Sequence, residues 1–139
     1  MKKASRVLLT IGGILHIVDG VSFIIASLYF LIASILYFGF GTNIFFAVFD
    51  AEDATEPLTV VLISMAISFI LFFLMFISFG IMSFFASKLT FNARETNDKK
   101  TLITSIVMGA ILDNPPAVVG SIFALVVANK EKEEIKQVE

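Results

Sequence analysis

Three ionisable side chains interrupt the apolar stretches of this sequence: His16, Asp19 and Asp113. An ionisable group within an apolar segment is costly, and it marks a candidate proton or ion site by default. His16 and Asp19 stand at i and i+3, so a helix places them on one face within hydrogen-bonding reach. The chemistry such a pair could do is proton or cation relay, with Asp19 as the titrating carboxylate and His16 as its partner. Its structural counterpart is a polar clamp that fixes helix register. Asp113 precedes Asn114-Pro115-Pro116, where Asp and Asn commonly shape turns and Pro stops a helix. These four residues, His16, Asp19, Asp113 and Asn114, are the candidate polar site.

Other chemistry is excluded by residue type. Cys is absent and His occurs once among 139 residues, so thiolate catalysis and multi-His metal sites are ruled out within one chain. Gly12-Gly13 is no phosphate-binding loop. No Ser sits in a nucleophile turn, and no paired carboxylates face water. The expected protein is not an enzyme and carries no cofactor. A net charge of -2 weighs against a nucleic-acid partner.

The elements that must position these residues are apolar. Hydrophobic residues make up 58% of the chain and charged residues only 16%, well short of the quarter that a soluble domain uses. The charges are also clustered. Asp19 alone lies between Arg6 and Asp50, and none lies between Glu56 and Lys88. That pattern predicts an all-α integral membrane bundle in a single domain. The N-terminal apolar stretch runs too far for a signal peptide and reads as a retained anchor.

Four helices are expected, over about 6–38, 57–88, 94–113 and 116–136. The first two are long, and the last two form a short hairpin broken at Asp113 to Pro116. The alternative is three spans, with 101–128 as one kinked helix. Ile44 to Phe49 is too short to span, and 50–56 is an acidic loop without Lys or Arg. Lys and Arg at 2, 3 and 6, through 88–100 and in the tail place the N-terminus and C-terminus in the cytoplasm and the acidic loop outside.

Helical spacing gives each segment a face. Gly12, His16, Asp19, Phe23, Ala26 and Phe30 share one stripe of the first helix. Ser64 and Ser68 open a stripe on the second, beside a face carrying Phe69, Phe72, Phe73 and Phe76 that reads as lipid-facing or as core packing. Ser105 and Gly109 recur on the third, and Gly120, Ala124 and Ala128 on the fourth. Small residues at this spacing let helix backbones approach closely in lipid. The stripes are therefore expected to pack the bundle, with the fourth helix also able to form a homo-oligomer interface.

Arg6 followed by Ile11-Gly12-Gly13-Ile14-Leu15, then Lys99-Lys100, then Pro116 to Ala128 with Asn129-Lys130, resembles a group of small Gram-positive bacterial membrane proteins known only as a domain of unknown function. The resemblance implies four helices and carries no activity. This sequence departs from the pattern in its Asp113-Asn114-Pro115-Pro116 break and its long first helix.

These features favour a non-enzymatic membrane protein, in contact with lipid, that is an accessory, scaffold or regulatory subunit of a larger membrane complex. The partner would be another membrane protein or further copies of the chain. Two alternatives follow from particular residues. One is a homo-oligomeric transporter or channel using Asp19 and His16. The other is an immunity-type protein whose acidic loop captures a cationic membrane-active peptide.

Overall fold

The computed structural model describes residues 2–41, 55–96 and 98–138. They form an all-helical structure: α1 (Lys2–Leu36), α2 (Thr55–Thr96), α3 (Lys99–Ile111) and α4 (Pro115–Val138). α1 closes in a π-helical turn at Tyr37–Gly41. The apolar run 44–49 and the acidic positions 50–54 lie outside the described residues, and Thr55 and Glu56 already belong to α2.

The boundaries differ from expectation in one informative place. Lys88 does not end α2, which continues for eight further residues to Thr96. Nothing between Lys88 and Thr96 breaks a helix. Thr90 and Thr96 return their hydroxyls to the carbonyls of Ala86 and Asn92, at 2.8 and 2.9 Å. Arg94 thus belongs to α2 and does not start α3. α3 begins after Asp98, whose carboxylate accepts the Thr101 N–H at 3.0 Å and the Thr101 hydroxyl at 2.9 Å. Those two bonds hold the Asp98 carboxyl below its ordinary value, the backbone bond contributing most.

α3 ends in a Schellman arrangement. The Asn114 N–H bonds to the Gly109 carbonyl at 2.7 Å and the Asp113 N–H to that of Ala110 at 3.4 Å. Asp113 takes the left-handed conformation, φ 50°, that this motif requires. Asn114 then caps α4, with its Oδ1 accepting the Ala117 N–H at 3.2 Å. Pro115 and Pro116 fill the first turn of α4, where a missing N–H costs nothing.

The chain divides into two compact units. The first joins residues 1–21 with 81–139. Its helices pack leucine against alanine: Leu9, Ala93, Leu102 and Ala124 form a buried cluster, with Leu125 against it. Beside that cluster a hydroxyl network ties α2, α3 and α4 together. Ser105 lies 3.3 Å from Thr90 and 3.0 Å from Ser121, all three buried.

The second unit, residues 22–80, pairs α1 with α2 through aromatic rings. Phe30 stacks on Phe72 and Phe76 at centroid distances of 5.4 and 5.3 Å, and Phe23 packs against Phe76 and Phe79. The Phe-rich face of α2 is thus packed on α1. Ala66 is buried in this unit, whereas Ser64 and Ser68 are exposed. Their hydroxyls bond to Val61 and Ser64 carbonyls of their own helix.

Asp113 pays a left-handed backbone penalty that glycine does not. Asp113→Gly is expected to hold or raise the thermal midpoint of the detergent-purified protein, by about 1 kcal/mol of stability at most. Asp113→Val should lower it, because a β-branched residue strongly resists positive φ.

Candidate functional site: a buried polar face on α1

Gly12, Gly13, His16 and Gly20 make one buried face of α1. At each glycine a neighbouring residue occupies or crowds the space a Cβ would take. A Cβ on Gly12 would lie 2.7 Å from the backbone nitrogen of Ala117. A Cβ on Gly13 would meet the Phe91 ring at 2.7 Å, and one on Gly20 the Phe84 ring at 3.1 Å. Gly109 and Gly120 serve the hairpin similarly: Gly109 faces Val118, and Gly120 faces Leu8 and Leu9.

This closeness brings side-chain donors onto the α1 backbone. Asn114 Nδ2 donates to the Gly12 carbonyl at 2.9 Å, and Ser87 Oγ donates to the Gly13 carbonyl at 2.9 Å. Both carbonyls belong to the α1 helix ladder as well, each as the acceptor for the residue four ahead. For Gly12 that residue is His16.

His16 is fully buried, and neither ring nitrogen has a hydrogen-bond partner. Ser83 Oγ on α2 is likewise buried and unpartnered. Leaving a buried polar group unpaired costs roughly 1–3 kcal/mol. Asp19, half-buried one turn along α1, makes no hydrogen bond to His16, although their spacing places the two on one face.

The candidate residues separate into two roles. His16 and Asp19 share the α1 face. Asn114 meets that face at Gly12, and both ends of its amide are used there, one on α1 and one on α4. Asp113 is exposed and serves the turn, although the α1–α4 register brings the turn level with the His16 end of this face. Among the packing candidates, Gly12, Ser105, Gly109, Gly120 and Ala124 are buried, Ala128 is half-buried, and Ser64 and Ser68 are exposed. Sequence reasoning missed Ser83 and Ser87, which face α1 from α2. Their signal was available in small residues at spacing three to four over Gly80, Ser83, Ser87 and Thr90. Among the described residues no group of three His, Asp or Glu converges as a metal site.

Two substitutions test this face. Gly12→Ala should destabilise the protein by about 1–3 kcal/mol in a detergent melt, because the obstructing atoms are backbone and cannot rotate away. Gly39→Ala, whose Cβ meets nothing within 4 Å, is the control expected to show no loss. His16→Leu should raise the midpoint, since it removes an unpaired imidazole worth roughly 1–3 kcal/mol.

No family model, curated protein or solved structure matches this chain, so the chemistry of the site has to come from its own geometry.

Proposed function

We propose that the chain is an integral membrane protein without catalytic chemistry of its own, serving as an accessory, scaffold or regulatory subunit of a membrane assembly. The observation that carries this reading is inverted polarity. Among the described residues ten polar side chains are buried against seven hydrophobic ones, and five of those seven are alanine. Large aliphatic side chains stand outward instead, including Ile25 at 63%, Val60 at 66% and Ile81 at 62% exposure. Two helices are long and apolar enough to cross a membrane, and only 11% and 6% of their most apolar stretches are buried inside the protein. A core helix of a water-soluble protein buries far more. Surface of this kind is solvated by lipid or covered by other membrane helices.

In this reading α1 and α2 cross the bilayer and the α3–α4 hairpin is re-entrant. α3 has 13 residues, about 20 Å of helix against a hydrocarbon core of about 30 Å. Its turn meets α1 at Gly12, well short of the far end of α1. A short hairpin at membrane depth is tolerated where neighbouring helices cover its backbone groups. Lys2 pairs with Glu131, which holds the N-terminal segment beside α4 near its end. Both termini then lie on the cytoplasmic side, which the basic residues at 2, 3, 6 and 88–100 favour.

A second reading is a proton or cation relay through Asp19 and His16 in a homo-oligomer. The two unpartnered His16 nitrogens favour it, since a group kept at a stability cost is a functional suspect.

The protein should resist carbonate extraction from membranes, and reporter tags on both termini should give the same, cytoplasmic, side. Tags on opposite sides would refute the re-entrant hairpin. Gentle affinity purification should recover a stoichiometric membrane partner, and a lone monomer would refute the accessory role. Proteoliposome flux that Asp19→Asn abolishes would move the assignment to the relay.

A further inference from the structure

A second polar feature lies in the first unit, outside the His16 face. Arg6, Val7 and Thr10 of α1 and Arg94 and Glu95 of α2 line a cleft of about 500 Å³. That volume falls within the range of small-ligand pockets, about 300–1,000 Å³. Two guanidinium groups and one carboxylate give the cleft a net positive charge.

Arg94 is held in place before any ligand arrives. Its Nη1 donates to Thr10 Oγ1 at 3.2 Å, and its guanidinium lies 5.8 Å over the Phe91 ring. Thr10 in turn donates its hydroxyl proton to the Arg6 carbonyl at 2.8 Å, so it is oriented to accept from Arg94. Phe91 reaches α1 because Gly13 has no side chain to keep it away. Glu95 takes Nη2 at only 3.4 Å and at an exposed position, a weak competitor. Most of the five N–H donors of Arg94 are left for an oxyanion, and a planar fork matches phosphate oxygens in pairs.

An exposed apolar stripe leaves this cleft along α1. Val7, in the cleft wall, is followed at helical spacing by Ile11, Ile14 and Val18, exposed by 58%, 44%, 51% and 54%. A soluble phosphate would have no use for that stripe, whereas a lipid has both a phosphate and acyl chains. Basic pockets beside membrane helices on the cytoplasmic side are where anionic headgroups bind.

We propose that Arg6 and Arg94 bind the phosphodiester of an anionic phospholipid, with an acyl chain laid along Val7, Ile11, Ile14 and Val18. This rests on the membrane reading above. The site would fix a lipid at the end of α1 from which the His16 face begins.

Native mass spectrometry of the delipidated, detergent-purified full chain tests it, with dioleoyl phosphatidylglycerol, dioleoyl phosphatidylcholine and inorganic phosphate as separate probes. Phosphatidylglycerol should bind several-fold tighter than phosphatidylcholine. Arg6→Gln and Arg94→Gln should each weaken it roughly fivefold. Glu95→Gln, which removes the competing carboxylate, should tighten it. If Arg94→Gln does not fold, Arg6→Gln and Glu95→Gln decide alone. Equal binding of the two lipids, or no response in these variants, overturns the proposal. Binding of inorganic phosphate as tight as that of phosphatidylglycerol overturns the lipid assignment. Carbonate extraction separates the two levels: a chain released by carbonate fails as a membrane protein, whereas a retained chain without lipid preference fails only here.

Discussion

The carbonyls of Gly12 and Gly13 each serve the α1 ladder and a side chain from another helix, Asn114 for one and Ser87 for the other. At Gly12 the helices approach nearly to backbone contact, with Ala117 where a Cβ would stand, and at Gly13 the Phe91 ring takes that space. The four-helix unit depends on this approach. The capped turn after α3 is anchored to α1 by the same asparagine that starts α4, so the end of one helix, the start of the next and the docking point are one structural event.

The close approach also explains why the interior is polar. Helices this near to one another leave little room for bulk: Phe91 enters opposite Gly13, and five of the seven buried hydrophobic residues are alanine. Alanine, serine and threonine fill the space, and their hydroxyls find carbonyls or one another, as at Thr90, Ser105 and Ser121. In the membrane reading, where the solvent is as apolar as the residues themselves, packing and hydrogen bonds rather than hydrophobic burial supply the cohesion. His16 and Ser83 stand out because they lie in the same tight interior and lack this compensation.

The helical class and the break at Asp113 to Pro116 are legible in the sequence, because hydropathy and proline chemistry act locally. The extent of α2 is not. Its polar end, from Lys88 to Thr96, reads as a loop by composition, yet it contains no breaker and its threonines satisfy themselves within the helix. The choice of packing face is harder still. Ser64 and Ser68 share their residue type and spacing with Ser83 and Ser87, but the first pair turns outward and the second faces α1. Along a segment apolar on every side, hydropathy carries no facing signal. Only the partner decides, through Gly13 and Gly20 on α1. His16 as a suspect needed no partner to identify it, since a lone imidazole in an apolar run is conspicuous by itself. Its lack of hydrogen bonds needed the assembled interior.

The brevity of α3 has a consequence for biogenesis. A 13-residue segment falls short of the length at which a hydrophobic helix partitions stably on its own. If α1 and α2 insert first, as independently apolar helices, the hairpin has a surface to dock on only afterwards. Its anchor point at Gly12 is made before α2, and Asn114 only after it. In the membrane reading the docking face of α1 would therefore stay uncovered until the hairpin is made, and assembly would have a fixed order written into the unequal lengths of the helices.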